Sequence, residues 1–528
     1  MGFVSWRTVY FASIGLRFVF ALSNSYIHPD EHFQSLEVLA GRMFLLSTKE
    51  PWEYLLLAPA RSFAPLLAVY YVPLKLALWL ALLPLQTWYL VRLVFMSISW
   101  VVTDWCLYKM LPTKQERIKA IYFVLTSFVS LVYQSHTFSN SIETVLVLLT
   151  VYYINELRFM RSQPKPQYAT SDVVRASIAI GFLFAFGTFN RVTFPAFFVL
   201  PGLFYLQSAW KWPYVVFISA FTFIVTSACC IIMDTTWFKG ISVGTILKSP
   251  FEWSQYVVTP HNNLVYNASL DNLAQHGLHP LYTHILVNLP QLMGPGLILL
   301  FPRFRNSYWK TTPFAAAMSG LIFLSIVPHQ ELRFIIPVVP LLCSCFDVAG
   351  LEKACQKRTW LLTFLMNSWL VFNLSMAMLM GVFHQGGVLP ALEYLHASPQ
   401  FQSPETALIW WRTYSPPTWM LNQKAGDLQI ILISNENEDL KFQSDAASNL
   451  LSIDAMGMSV EGVNKVIRNV SATHKLVLLI TPIASFKQNF EASAYDEVWS
   501  YNYHLDMDHL DFSDLQSLRP GLAIYSLL

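Results

Sequence analysis

Long apolar runs separated by short polar stretches recur from the start of the chain to residue 383. Crossing about 30 Å of hydrocarbon takes roughly 20 apolar residues in a helix. The cleanest runs are residues 120–136, 213–233, 311–328, 334–346 and 360–383. Residues 9–22, 63–83, 88–108, 142–154, 176–206 and 285–301 repeat the pattern with polar interruptions. The pattern predicts a mainly α polytopic membrane protein with about 10–12 transmembrane helices. Residues 176–206 are too long for one span and are interrupted by Asn190-Arg191 and Pro195. Two short or broken helices lining a cavity are expected there, because a charge at membrane depth must face protein or water.

After residue 394 the pattern changes. Residues 428–434 and 475–481 are short apolar runs between polar turns, which reads as strands. Residues 444–456 and 459–469 read as helices. The expected organisation is a transmembrane domain over 1–394 and a small α/β domain over 395–528.

Lysine and arginine orient the spans, since cytosolic loops carry the excess. Loops 109–119, 158–175, 303–310 and 353–358 are basic and read as cytosolic. Segments 23–62, 136–141, 234–284, 329–333 and everything after 384 then read as lumenal, with 23–62 a large first loop. Two crossings between residues 63 and 108 would reverse the side of loop 109–119. Either 63–83 stops short of a full crossing or that loop is lumenal.

Composition agrees with the periodicity. Of 528 residues 54% are hydrophobic and 12% charged, with a mean hydropathy of +0.43. Soluble domains carry about 25% charged residues. The net charge of +2 gives no case for nucleic acid. The six cysteines lie in or beside apolar runs without CxxC spacing, against a disulfide framework or a zinc site. The first apolar segment lacks a small-residue cleavage site and is expected to remain as a span.

Candidate chemistry collects on the lumenal side. Tyr26-Ile27-His28-Pro29-Asp30-Glu31-His32 places two carboxylates and two imidazoles just beyond the first span. Pro29 ends the incoming segment, and Asp30 and Glu31 fall near the start of the next helix, where carboxylates are favoured. Trp52-Glu53-Tyr54 and Ala60-Arg61-Ser62 offer an aromatic face, an acid and a planar cation suited to phosphate. Glu143, in Ser139-Asn140-Ser141-Ile142-Glu143, and Glu331 and Arg333, in His329-Gln330-Glu331-Leu332-Arg333-Phe334, are charges near hydrocarbon that need partners. His384 ends the last span. His276, His279 and His284 share the second large loop, with no acid or cysteine at ligand spacing. Each group also has a plain structural reading as an interfacial anchor, a helix cap or a local ion pair. Asn267-Ala268-Ser269 and Asn469-Val470-Ser471 are glycosylation sequons on the lumenal side of this topology. Moving a sugar from a phosphate-activated donor needs a base for the acceptor hydroxyl and cationic groups for the departing phosphate. Asp30 with Arg61, Arg191 or Arg333 would supply that minimum.

The motifs His28-Pro29-Asp30-Glu31, Pro51-Trp52-Glu53-Tyr54 with Ala60-Arg61-Ser62, Ser139 to Glu143 and His329 to Phe334 fall in one order between residues 5 and 390. Together they resemble glycosyltransferase family 22, the mannosyltransferases of GT-C architecture in the endoplasmic reticulum. The stretch Ser25 to Glu37, with Asn262-Asn263-Leu264, His276-Gly277-Leu278-His279-Pro280 and Val287-Asn288-Leu289-Pro290, is similar to one branch of that family. Its members add a fourth, α1,2-linked mannose to the third mannose of the GPI-anchor precursor. The resemblance implies dolichyl-phosphate mannose as donor, a mannosylated GPI lipid as acceptor, a membrane-lipid environment and inversion by single displacement. It gives Asp30 the role of base and Glu31 that of orienting acceptor or base. It implies no bound metal or other cofactor. His28, His32, Trp52, Glu53, Arg61, Asn140, Glu143, Arg191, His276, His279, His329, Glu331, Arg333 and His384 are then the substrate-binding candidates. Two positions depart from the family pattern: Arg191 is followed by Val192-Thr193 rather than proline, and Gln330 replaces a basic residue.

A sister activity, adding the third GPI mannose or a mannose of the dolichol-linked N-glycan precursor, shares the same base. Only the acceptor-facing loop 234–284 would separate the two. A lipid or sugar transporter is the reading from another class; transporters commonly carry inverted repeats, and this chain shows none. A non-catalytic subunit of a larger complex is a further reading.

Overall fold

A computed structural model describes residues 6–163, 168–248, 250–275, 277–305, 310–355, 358–433, 449–510 and 515–528. Its chain divides into two compact units. The first comprises Met1–Phe18, Trp52–Val72 and Val94–Ser375; the second comprises Val19–Pro51, Pro73–Leu93 and Met376–Leu528. The expected boundary after residue 394 falls inside the second unit.

Every long apolar run picked out above, up to residue 383, contains helix. Among the described residues five helices are long and apolar enough to cross a membrane, or seven if each of two bent pairs is one span. Phe63–Trp79 and Thr312–Ser325 are shorter apolar helices. Trp6–Ala21, of 16 residues, and Ser139–Ser162, of 24, are helical as well. The 17 residues of Phe63–Trp79 rise about 25 Å, short of a perpendicular crossing of about 30 Å.

Tyr214–Lys239 shows why these helices need lipid. Its buried positions include Ser219, Thr226, Asp234 and Thr235, while Phe217, Phe221 and Ile224 are exposed. A surface helix in water has the opposite arrangement. Breaks in the spans are repaired by side chains. Lys114–Thr126 and Phe128–Ser135 meet at 68° across extended Ser127. The freed Phe128 N–H donates to Asn373 Oδ1 at 2.8 Å, as a break at membrane depth requires. Residues 176–206 are broken where Asn190-Arg191 predicts. Helix Thr170–Asn190 stops, Arg191 is extended, a tight turn spans Phe194–Phe198, and Val199–Lys211 resumes. Asp234 caps the start of Phe63–Trp79 from a distant helix. Its Oδ1 accepts from Ser62 Oγ and from the Phe63 and Ala64 N–H groups at 2.8–3.2 Å, and its Oδ2 accepts from Thr259 Oγ1.

The second unit carries one six-stranded sheet: β1 (Thr406–Trp410), β2 (Leu428–Leu432), β3 (Leu450–Asp454), β4 (Leu476–Pro482), β5 (Tyr495–Tyr501) and β6 (Leu522–Leu527). The order is β2-β3-β1-β4-β6-β5, with the first four mutually parallel and β6 antiparallel to both neighbours. Helix Val460–Ser471 buries Val463, Val466, Ile467 and Val470 against the sheet, and Ser459 caps it by accepting from the Gly462 N–H. The helix expected over 459–469 is therefore present. The helix expected over 444–456 is not: Leu450–Asp454 is a strand buried on both faces, and residues 444–448 lie outside the described set. A short, fully buried strand has no period-two pattern to tell it from buried helix.

Candidate active site

The polar motifs form one network in the second unit and three in the first. In the second unit Pro29 opens a helix, with the His32 and Phe33 N–H groups bonded to Pro29 O at 3.0 Å. The Asp30 N–H donates to His28 Nδ1 at 3.2 Å. That bond makes Nδ1 an acceptor and puts the proton of a neutral imidazole on Nε2. Asp30 keeps 23% of its side chain exposed, and Gln34, one turn on, donates to its Oδ2. Glu31 is fully buried, its Oε2 accepting from the Ile27 N–H at 3.4 Å, with the Arg92 guanidinium within electrostatic reach. Arg92 is fixed by the carbonyls of Phe20 and Ser23 and lies over Trp88. His32 is sealed between Tyr26 and Trp88. His384, also buried, donates from Nε2 to Ile27 O at 3.2 Å, and its own carbonyl accepts from the Tyr26 N–H. Neighbouring carboxylates thus have distinct settings: Asp30 meets solvent, and Glu31 braces the turn that presents it.

The same helix is buckled further along by Glu37. Its carboxylate accepts from the N–H groups of Lys49, Thr418 and Trp419 at 3.2–3.4 Å and from Thr418 Oγ1. Burial pushes the carboxyl up to about 7 from 4.5, against these four donors. The folded chain therefore holds this proton more tightly than the unfolded chain. Its contribution to stability is full below about pH 4.5 and is lost as pH rises through about 7. Thermal unfolding of the purified protein is expected at lower temperature near pH 8 than near pH 5, and Glu37→Gln is expected to flatten that dependence. An unchanged slope in the variant would assign it to other groups.

In the first unit, Glu143 and Arg191 form a buried ion pair, Nε to Oε2 at 3.2 Å. Arg191 Nη1 donates to Ser139 Oγ at 3.0 Å and to Asn140 Oδ1 at 3.3 Å. Thr193 Oγ1 donates to Glu143 Oε1 at 3.1 Å. The broken helix is thereby tied to the first turn of Ser139–Ser162. Thr193 stands near the departure from the family's proline and closes this network.

A second network joins the two late histidine motifs. His329 donates from Nδ1 to Gly277 O at 2.9 Å and from Nε2 to Glu331 Oε1 at 2.8 Å, and Glu331 also pairs with Arg333. Burial works against the His329 charge, but the bonds to Glu331 and Gly277 outweigh it and hold the imidazole above its usual range. Buried Gln330 faces the other way: its Oε1 accepts from the His284 N–H, and its Nε2 is shared among the carbonyls of Leu281, Ser325 and Val327. A lysine or arginine would have no acceptor to offer the His284 N–H. The His279 N–H bonds to Pro328 O.

The third network pairs Arg61 with Glu53 at 2.9 Å. Beside it Trp52 stacks on Tyr266 with ring centroids 4.0 Å apart. Arg61, Arg333, Glu143 and Glu331 all lie within electrostatic reach of Arg191. His276 lies outside the described residues. Asn267 is exposed, its Nδ2 donating to Asn263, and Asn469 is half-buried on its helix.

Sequence reasoning gave no site role to Gln34, Glu37, Arg92, Thr193 or Tyr266. Only Gln34 had a local signal, standing four residues after Asp30 on a helix. Among the described residues no three His, Cys, Asp or Glu side chains converge as a metal site. In the tail, His509 pairs with Asp506, and His504 Nδ1 accepts from the Gly387 N–H.

The fold has known counterparts. A crystal structure of ArnT from Cupriavidus metallidurans bound to undecaprenyl phosphate aligns with a TM-score of 0.52 at 11% identity, over 98% of this chain and 97% of that one. Apolar spans with a small terminal sheet and this similarity define a multi-pass membrane protein of GT-C architecture. The chain belongs to the Alg9-like mannosyltransferase family, which it matches over residues 8–423. GPI mannosyltransferase 4 of Debaryomyces hansenii is 48% identical over 99% of both chains, and that of Candida albicans 45% over 99% of both. The Saccharomyces cerevisiae protein of the same name is 35% identical over 98% of this chain and 97% of its own. The chain is accordingly a glycosyltransferase of the GPI mannosyltransferase kind.

Proposed function

We propose that this enzyme transfers the fourth GPI mannose, in α1,2 linkage, from dolichyl-phosphate mannose to the third mannose of the GPI precursor. The reaction takes place at the lumenal face of the endoplasmic reticulum membrane. The supporting observation is the contrast between adjacent carboxylates, Asp30 partly open to solvent and Glu31 buried. The 2-hydroxyl oxygen of the acceptor mannose attacks C1 of the donor sugar as the C1–O bond to phosphate breaks. The hydroxyl proton passes to Asp30, and the electron pair of the broken bond leaves on dolichyl phosphate. Displacement of a β-linked donor gives an α-linked product. The phosphate departs as a stable anion, so one carboxylate base suffices. Arg61, Arg191 and Arg333 are the cationic candidates for that phosphate, and Arg61 is the most exposed of the three. Glycans at Asn267 and Asn469 would accord with lumenal placement.

The test supplies purified protein with dolichyl-phosphate mannose and, in parallel, GPI precursors carrying two or three mannoses. Linkage analysis is expected to find one new α1,2-mannose on the three-mannose acceptor. Transfer to the two-mannose acceptor alone would assign the sister activity, and no transfer to either would remove the proposal.

A further inference from the structure

Helix Thr259–Asn267 is built inside out. Thr259 and Asn263 are buried. Three polar side chains bond inward: Thr259 Oγ1 to Asp234 Oδ2 at 2.9 Å, Asn262 Nδ2 to Pro59 O at 2.9 Å, and Asn263 Nδ2 to Ala60 O at 3.2 Å. Leu264 and Val265 are left outside, 58% and 60% exposed. A helix bathed in water puts such residues the other way round. The inversion matches that of the span Tyr214–Lys239.

The bonds to Pro59 and Ala60 hold this helix against a turn whose tip, Leu55-Leu56-Leu57, is also exposed, Leu57 almost completely at 99%. The stack of Trp52 on Tyr266 joins the same two segments. Asp234, which bonds Ser62 and Thr259, stands five residues before the end of its span at Lys239. The tip and the helix are therefore fixed near the level at which that span ends. The intervening chain exposes Phe251 at 82% and Trp253 at 78%. It is tethered at both ends to spans, to Tyr214–Lys239 before it and to His284–Phe301 after it.

We infer that Leu55–Leu57, Leu264, Val265, Phe251 and Trp253 form an apolar ledge that seats in the interfacial layer of the bilayer, with phospholipid as its occupant. Exposed apolar surface of this kind marks an interaction site. Tryptophan is favoured at the headgroup boundary, and Lys239, at the end of the span, donates from Nζ to Ser254 O at 3.3 Å and ties the Trp253 segment to that level. The ledge pins down the turn that carries Glu53 and Arg61, so its seating sets the height of that ion pair relative to the membrane. The inference concerns seating and does not depend on which sugar is moved.

The test uses the full chain in lipid nanodiscs, with the exposed Cys229 replaced by serine. A nitroxide is attached at Leu57→Cys and, in a separate protein, at Leu264→Cys. Gln275→Cys, an exposed polar position of the same loop, is the control. Power saturation compares collisions with oxygen, which concentrates in lipid, and with a nickel chelate confined to water. The oxygen-to-nickel ratio is expected to be several-fold higher at 57 and 264 than at 275. A ratio equal to the control would place the ledge in water and overturn the inference. Low access to both reagents would overturn it as well, by showing that another protein or a second copy covers the face. Either label decides the matter if the other variant is lost in purification.

Discussion

Asp30→Asn is expected to leave the protein folded in the membrane and to lower mannose transfer by about a hundredfold to ten-thousandfold, the usual worth of a positioned base. Asparagine keeps the size of the side chain and can still accept from Gln34. It loses the capacity to take a proton. The side chain is partly exposed, so the exchange removes little packing and the loss should fall on kcat rather than on yield. Glu31→Gln is expected to separate from it. Glu31 is fully buried and supports the Ile27 N–H and the Arg92 charge, so its loss should lower thermal stability together with activity. The measurement is initial rate and unfolding midpoint for both variants in one preparation. Transfer by Asp30→Asn within a few-fold of native would take the proton elsewhere.

The second large effect is structural. Glu143→Ala removes the counter-charge of a buried arginine. Arg191 would keep its bonds to Ser139 and Asn140 but would stand as an uncompensated charge, a situation that costs about 3–5 kcal/mol. Loss of Thr193's acceptor adds to that. The expected outcome is poor recovery of monodisperse protein in detergent and a sharply lowered unfolding midpoint. Replacing both partners, as in Glu143→Leu with Arg191→Met, should restore much of the stability, because removing the pair also removes its desolvation cost. It should not restore transfer if Arg191 also serves the donor phosphate. If Glu143→Ala is recovered and melts like the native chain, the pair is not a brace, and the join between Arg191 and Ser139–Ser162 rests on hydrogen bonds alone.

What could be read from the residues was what neighbours along the chain decide. Apolar length located the spans, and Asn190-Arg191 with Pro195 marked the broken helix. Sequence spacing likewise put Asp30 beside Glu31 and Glu331 beside Arg333. What could not be read was decided across sequence distance. The bend at Ser127 lies in an uncharged run, and its spare N–H is met by Asn373 from another span. Asp234 entered the sequence reading only as the first residue of the lumenal segment 234–284, yet it caps Phe63–Trp79. Glu37 finds three of its four donors 381 or 382 residues away, at Thr418 and Trp419. In the sheet, β3 passed for helix, and no local pattern states that β6 inserts between β4 and β5. The motif residues were therefore legible as a list, and their grouping into separate networks was not.

The position of β6 has a consequence for how damage to the gene would be felt. Leu522, Ala523 and Ile524 are fully buried, and β6 pairs on one side with β4 and on the other with β5. A stop codon at or before position 522 would leave β5 with no strand to pair with and open the hydrophobic interior of the sheet. The second unit also combines Val19–Pro51 with Met376–Leu528, so the turn bearing Asp30 has its final support only once those later residues have been made. Nonsense and frameshift alleles that remove β6 should therefore behave as nulls cleared by quality control rather than as mild hypomorphs.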